Sequence, residues 1–132
     1  MKTLMIMMGA MGLLSLAFAQ TAPPPLVNPV DAKNHIGETA TVCGKVVDTK
    51  VSKYGIQGHG KPVTFDLDQP EPNPVFSFVA FGAEPGGPKE VVDAYNGKRV
   101  CVTGKITVVP TGGSPFIMAG DRSQIKPQAG DK

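Results

Sequence analysis

Short runs of alternating apolar and polar residues, separated by turn-forming residues, make up most of the chain. The clearest run reads Val63, Thr64, Phe65, Asp66, Leu67, Asp68. A period of two predicts a half-buried strand whose three apolar side chains face the core. Asp66 and Asp68 share the other face, and we expect that face to be solvent-exposed rather than to carry an acid–base pair.

Similar runs predict four more strands. The first strand, residues 39–51, is long and rich in β-branched residues. Gly44 in its middle predicts a bulge or bend, by which one strand can serve both sides of a small barrel. The fourth and fifth strands are predicted over residues 98–109 and 116–119.

Two faces compete for the core in the third predicted strand, residues 75–81. The two sets are Phe76, Phe78 and Ala80, or Val75, Val79 and Phe81. Because Ser77 shares a face with the second set and prefers water, we expect the first set to point inward.

The connections between the strands contain strong strand breakers. Three prolines interrupt residues 69–74, which therefore form the turn between the second and third strands. Residues 88–95 are predicted as a two-turn helix, with Pro88 near its first position and Asn96-Gly97 as its stop. The predicted order is three strands, a short helix and two strands.

Residues 1–19 have the composition of an export signal. Lys2 precedes an apolar run, and Ala17-Phe18-Ala19 is the small-x-small pattern of a cleavage site before Gln20. The run is too short to span a bilayer comfortably, although a retained N-terminal anchor is the alternative. We expect a periplasmic or secreted protein with no membrane span after signal removal.

The rest of the chain divides into three parts. Residues 20–31 are rich in proline and are expected to be a flexible lead. Residues 32–125 suit one small domain, and residues 126–132 are expected to be a disordered tail.

The chain contains two cysteines, Cys43 and Cys101. An oxidising compartment favours a disulfide between them, and two buried reduced thiols are the alternative. Gly44-Lys45-Val46 is echoed by Gly104-Lys105-Ile106, each preceded by another glycine seven residues earlier. The cysteines therefore fall on the same stretch of the first and fourth strands, and could face each other if those strands are neighbours.

The charge of the chain restricts its partners. With 13 Lys and Arg against 11 Asp and Glu, the formal net charge is only +2. Affinity for a long nucleic-acid duplex comes largely from basic side chains on phosphates. Any nucleic-acid contact must therefore be local.

Three strands, a helix and two strands, with a bent first strand, resemble the OB-fold. Residues 36–46 and 95–106 are similar to small exported bacterial OB-fold proteins, related to nucleic-acid-binding OB domains of the anticodon-binding and helicase-associated kind. The resemblance covers residues 32–125, including Ser123-Gln124-Ile125 after the last strand, although Arg122 stands where the family often has proline. It implies an all-β fold: a five-stranded OB-fold barrel with a short helix between strands 3 and 4.

The remaining motifs give no catalytic, metal or cofactor site. Residues 55–61 match the spacing of a phosphate-binding loop, but Pro62 replaces the hydroxyl residue that binds magnesium, and a strand is predicted where the motif needs a helix. His35 and His59 are the only histidines, and neither has a metal-ligand partner at the usual spacing. We expect a non-catalytic protein without a cofactor.

The resemblance also implies where a ligand would bind. An OB-fold binds on the outer face of strands 2 and 3, between two loops, where bases stack on aromatic rings and lysines follow the backbone. The candidates by position are Lys53, Tyr54, His59, Lys61, Ser77, Phe81 and Phe116. Phe81 and Phe116 are equally candidates for the core.

Two functions follow as expectations. The first is a binding module with weak affinity for single-stranded oligonucleotides, which stack on Tyr54 and Phe81 with Lys53 and Lys61 on the backbone. The alternative is a periplasmic protein-interaction or envelope-stress module that uses the same face for a protein or small ligand. The near-neutral charge fits this alternative better.

Overall fold

The structure of the protein is a computed structural model that describes residues 22–82 and 87–128. The predicted export signal therefore lies outside the described residues. The strands are β1 (Leu26–Val27), β2 (Thr39–Val51), β3 (Pro62–Leu67), β4 (Ser77–Phe81), β5 (Arg99–Thr107), β6 (Phe116–Met118) and β7 (Ile125–Pro127). One α-helix, α1 (Gly87–Tyr95), and two 3₁₀ helices, Pro29–Asn34 and Arg122–Gln124, complete this part of the chain. The fold is mostly β, and the predicted all-β class is confirmed.

Five strands form a closed ring of hydrogen-bonded neighbours. β2 pairs with β3, β3 with β4, β4 with β6, β6 with β5, and β5 returns to β2. The β4–β6 pair is parallel and the other four are antiparallel. β1 and β7 lie outside the ring, paired with β2 and β5 respectively.

β2 contributes to both halves of the ring because it changes partner along its length. Its first half, from Thr39 to Lys45, is paired with β5, and its second half, from Val46, is paired with β3. The register shifts between Val46 and Asp48, so the irregularity lies beyond the glycine at which the sequence predicts it. The bulge therefore lies beyond Gly44, whereas the predicted use of this one strand on both sides of the ring is confirmed.

Gly44 instead permits the side chain of Asp68 to approach the backbone of β2 closely. A Cβ atom at Gly44 would lie 2.9 Å from Oδ1 of Asp68. That oxygen accepts a hydrogen bond from the N–H of Lys45 at 2.8 Å. The glycine thus leaves room for a carboxylate that holds the end of β3 against β2.

The core fills the inside of the ring, and both predicted inward sets are confirmed. Val63, Phe65 and Leu67 of β3 and Phe76, Phe78 and Ala80 in and before β4 are all buried. The rings of Phe65 and Phe78 stack with centroids 4.8 Å apart, and Tyr95 of α1 meets both edge-on. Aromatic pairs in these arrangements add to the stability that area burial provides.

The helix covers the core through one face. Val91 and Tyr95, one turn apart, are its buried residues, as the helical period requires. Gly97 follows with φ of 74°, which confirms the predicted stop. No helix among residues 22–82 and 87–128 is both long and apolar enough to cross a membrane.

The folded part extends further at both ends than the sequence predicts. Leu26 and Val27, assigned to the flexible lead, pair in parallel with Thr41 and Val42 of β2. Part of the predicted disordered tail also forms a strand, since β7 pairs antiparallel with β5. These strands of two and three residues are too short to show a period of two, and they form because β2 and β5 offer them free edges.

The predicted disulfide is present. Cys43 of β2 lies directly opposite Cys101 of β5, and the two sulfur atoms are bonded. The alternative of two reduced thiols is therefore wrong. The bond links the two strands that close the ring.

Replacing both cysteines by serine should lower the free energy of unfolding by about 4 kcal/mol, because the disulfide closes a loop with a sequence separation of 58. Urea denaturation of unreduced protein measures this change. The reduced wild-type protein serves as the control and should unfold at the same urea concentration as the double variant. An unchanged midpoint for the variant would contradict the expectation.

Candidate ligand-binding face

The outer face of β3, β4 and β6 carries a groove of about 620 Å³. Strand and loop side chains line it, and four of them bear hydroxyl groups: Ser52, Thr64, Ser77 and Ser114. Its apolar strand residues are Pro62, Val79, Phe116 and Met118. Glu71 is its charged residue, so no lysine or arginine lines it within the described chain.

The strand register places these side chains in rows that cross the sheet. The first row reads Asp48, Asp66, Ser77, Phe116, and the second reads Lys50, Thr64, Val79, Met118. Neighbours in a row lie on adjacent strands and face the same side of the sheet. An extended ligand that lies along either row would contact four strands.

Asp66 is buried, which contradicts the prediction of a solvent-exposed face. Only 4% of its surface is accessible, because β3 lies between β2 and β4 and Asp66 is flanked by Asp48 and Ser77 in the register. The Ser77 hydroxyl donates a hydrogen bond of 2.6 Å to its carboxylate. Asp68 is exposed, as predicted. It lies outside β3, immediately after the strand ends, and its φ is 65°.

Burial raises the pKa of the Asp66 carboxyl above its usual value. The hydrogen bond from Ser77 opposes this effect, while the negative charges of Glu71 and Asp48 add to it and Lys50 lowers the pKa slightly. The first row therefore carries a carboxyl group whose charged form is disfavoured by its surroundings.

One end of the face is basic and aromatic. Residues 49–65 contain three lysines and a histidine but no acidic residue. Tyr54, in the loop between β2 and β3, is 79% exposed, and Lys53 and Lys61 are exposed beside it in the sequence. The His59 ring packs against Phe81 with centroids 5.5 Å apart.

The structure divides the seven sequence candidates between the groove and its basic end. Ser77 and Phe116 line the groove, whereas His59 and Phe81 form a pair beyond it. Pro62 connects the two regions, since it lines the groove and lies opposite Phe81 in the register. Lys53, Tyr54 and Lys61 belong to the same loop end, in residues 52–61.

The alternative that Phe81 and Phe116 belong to the core is wrong. Both are half-buried, and neither belongs to the buried cluster inside the ring. Phe81 shares its face of β4 with Val79 and Ser77, while Phe78 and Ala80 point inward. Both phenylalanine rings are therefore partly accessible to a ligand.

Sequence reasoning named two of the twelve lining residues, Ser77 and Phe116, and among those it missed are Met118, Glu71 and Ser114. Met118 shares a face with Phe116 two residues earlier, and the period of two in β6 was a usable signal for it. Glu71 and Ser114 lie in loops that only the tertiary fold brings to the groove. The Ser114 hydroxyl donates to the carbonyl oxygen of Pro74, a contact across 40 residues that local patterns cannot reveal.

The arrangement is suited to binding through apolar contact, ring stacking and hydrogen bonds. In the described part of the chain, no group of three or more His, Cys, Asp or Glu residues is placed to hold a metal ion. The groove is open along the sheet and joins an exposed loop, which suits an extended ligand.

Comparison with known proteins adds little. No family model matches the chain, and no curated protein matches it. A solved structure described as a putative aspartyl-tRNA synthetase from Leishmania major Friedlin is similar over 82% of this chain and 22% of that chain, with a TM-score of 0.49 and 13% sequence identity. At this level of similarity we derive neither fold nor function from it.

The Asp66→Asn variant should be at least as stable as the wild type at neutral pH. A carboxyl whose pKa is raised by folding binds more protons in the folded state, so its contribution to stability falls as pH rises from about 3.8 through the raised pKa. The stability difference between variant and wild type should therefore grow in favour of the variant over that range, as measured by urea denaturation at several pH values.

Asp121→Asn provides a control of opposite sign. Hydrogen bonds from Ser123, chiefly from its backbone N–H, lower the pKa of Asp121, so its ionised form stabilises the fold and this contribution is lost as pH falls. A difference for Asp66→Asn that is independent of pH, or that follows the direction of Asp121→Asn, would contradict the assignment.

Proposed function

We propose that this chain is an exported, non-catalytic OB-type module that binds a single-stranded oligonucleotide along the outer face of β3, β4 and β6. The order of pairing in the ring supports the OB-type assignment, because an OB-fold is a five-stranded barrel with a ligand face between two loops. Here the β2–β3 loop and the β5–β6 loop bound the groove, through Ser52 and Ser114 respectively. The disulfide is compatible with a periplasmic or secreted location.

One observation carries the proposal: the basic and aromatic end directly adjoins an apolar, hydroxyl-lined groove on the same face. Single-strand-binding proteins need both elements, since cations contact the backbone and flat surfaces receive the bases. Lys53 and Lys61 supply the cations. Tyr54 and the ring of Phe81 supply stacking surfaces, and Val79 and Met118 extend the apolar surface into the groove.

The charges on the face determine how the ligand lies. Lys50, Lys53 and Lys61 fall in a stretch without acidic residues, whereas Glu71 lines the groove and Asp66 is buried next to Ser77. Phosphates therefore belong at the loop end, and bases belong in the groove. Few phosphates are neutralised, so affinity is low and depends only weakly on salt.

A protein segment is the second candidate ligand. The absence of lysine and arginine from the described lining of the groove favours it, because a neutral or basic peptide meets no repulsion there. Under this alternative, the wild-type protein recovers one partner from envelope extract, Phe81→Ala does not, and single-stranded DNA does not bind.

Fluorescence anisotropy with a labelled single-stranded DNA of about ten nucleotides tests the proposal. The wild-type protein should bind with a dissociation constant in the micromolar range, and a plot of log Kd against log salt should have a slope of about 1 to 2. Tyr54→Ala should weaken binding about 5-fold or more, because a stacking contact is worth about 1–3 kcal/mol per base.

Two further variants separate the charge of the face from the charge of the whole chain. Lys61→Ala should weaken binding and lower the salt slope by about 0.7. Lys126→Ala removes an exposed lysine from β7, which lies outside the ring and pairs with β5, and should leave both quantities unchanged. Absence of binding at tens of micromolar protein would refute the proposal.

A further inference from the structure

The hydroxyl groups that line the groove are not free to act equally as donors and acceptors. Each serine hydroxyl has one proton to donate and two lone pairs that accept. Two of the four hydroxyl-bearing residues, Ser77 and Ser114, have already donated that proton to another part of the protein.

Ser77 donates to the carboxylate of Asp66, which lies opposite it in the register of β3 and β4. The Asp66 oxygen accepts the serine proton, which is therefore turned away from a ligand. Ser77 lines the groove as a buried residue, 7% exposed, and its oxygen is left with lone pairs alone.

The Ser114 hydroxyl is also left with only lone pairs, because a different group accepts its proton. Its hydroxyl donates to the carbonyl oxygen of Pro74, which also cannot donate. Glu71, on the same side of the groove, has a carboxylate that accepts only. Three polar groups of the groove thus present acceptors, and Thr64 and Ser52 retain the means to donate.

We propose, on the basis of the proposed function, that this acceptor-rich groove selects bases that carry an exocyclic amino group and disfavours thymine and uracil. Cytosine presents an N4 amino group and adenine an N6 amino group, both of which donate hydrogen bonds. Thymine and uracil present the O4 acceptor at the equivalent position, which would face the lone pairs of Ser77, Ser114 or Glu71, and they keep only the ring N3–H as a donor on that edge.

The test compares oligo-dC with oligo-dT of about ten nucleotides at near-neutral pH, by fluorescence anisotropy. The two pyrimidines are similar in size, so a difference in affinity reports mainly on the hydrogen-bonding edge. We expect oligo-dC to bind at least about 5-fold more tightly, the lower limit for discrimination by a good base contact.

Two variants locate the preference in the groove. Glu71→Gln replaces a group that only accepts with one that also donates, and should reduce the ratio of the two affinities mainly by improving the binding of oligo-dT. Ser114→Ala should reduce the ratio by weakening oligo-dC. Glu38→Gln makes the same chemical change at an exposed residue outside the groove, and should leave the ratio unchanged.

The possible results are distinct. Equal affinities for the two oligonucleotides would overturn the base preference and leave the proposed function standing. Absence of binding to both at tens of micromolar protein would refute the proposed function, and the preference with it. A preference that persists in both Glu71→Gln and Ser114→Ala would overturn its assignment to the groove.

Discussion

The exchange of hydrogen-bond partners along β2 is the constraint on which the ring depends. β2 ends its pairing with β5 at Lys45 and begins its pairing with β3 at Val46. The backbone N–H groups of these two residues still need hydrogen-bond partners at that point. The N–H of Lys45 is taken by the side chain of Asp68, and the N–H of Val46 by the carbonyl of Lys98. Gly44 makes this possible, because any larger residue would collide with the Asp68 carboxylate.

The central part of the fold was predictable because its signals are local. Alternation identified the inward side chains of β3. The inward face chosen for β4 is correct, but the reason given for it is wrong, because Ser77 is buried on the other face instead of exposed to water. Cys43 and Cys101 were predicted to pair from compartment and from the echo between their strands, and they lie directly opposite each other. Such signals are contained in short stretches of the sequence.

The features that escaped prediction depend on distant neighbours. The alternation along β3 places the side chain of Asp66 on the face away from the core. β2 and β4 on either side nevertheless bury it. The edge strands β1 and β7 have no period of their own and exist only where β2 and β5 accept them. In the candidate site, the resemblance to the OB-fold pointed to the lysines and rings of the loop, but the direction of the hydrogen bond at Ser77 required the structure.

The hydrogen bond from Ser114 to Pro74 has a consequence for how any ligand enters. It fastens the connection between β5 and β6 to the connection between β3 and β4, and the N–H of Ser77 reinforces it by binding the carbonyl of Pro115. These two connections are thus held together in the protein without a ligand. A ligand that binds beside them would need little further ordering of these two connections, which lowers the entropic cost of association.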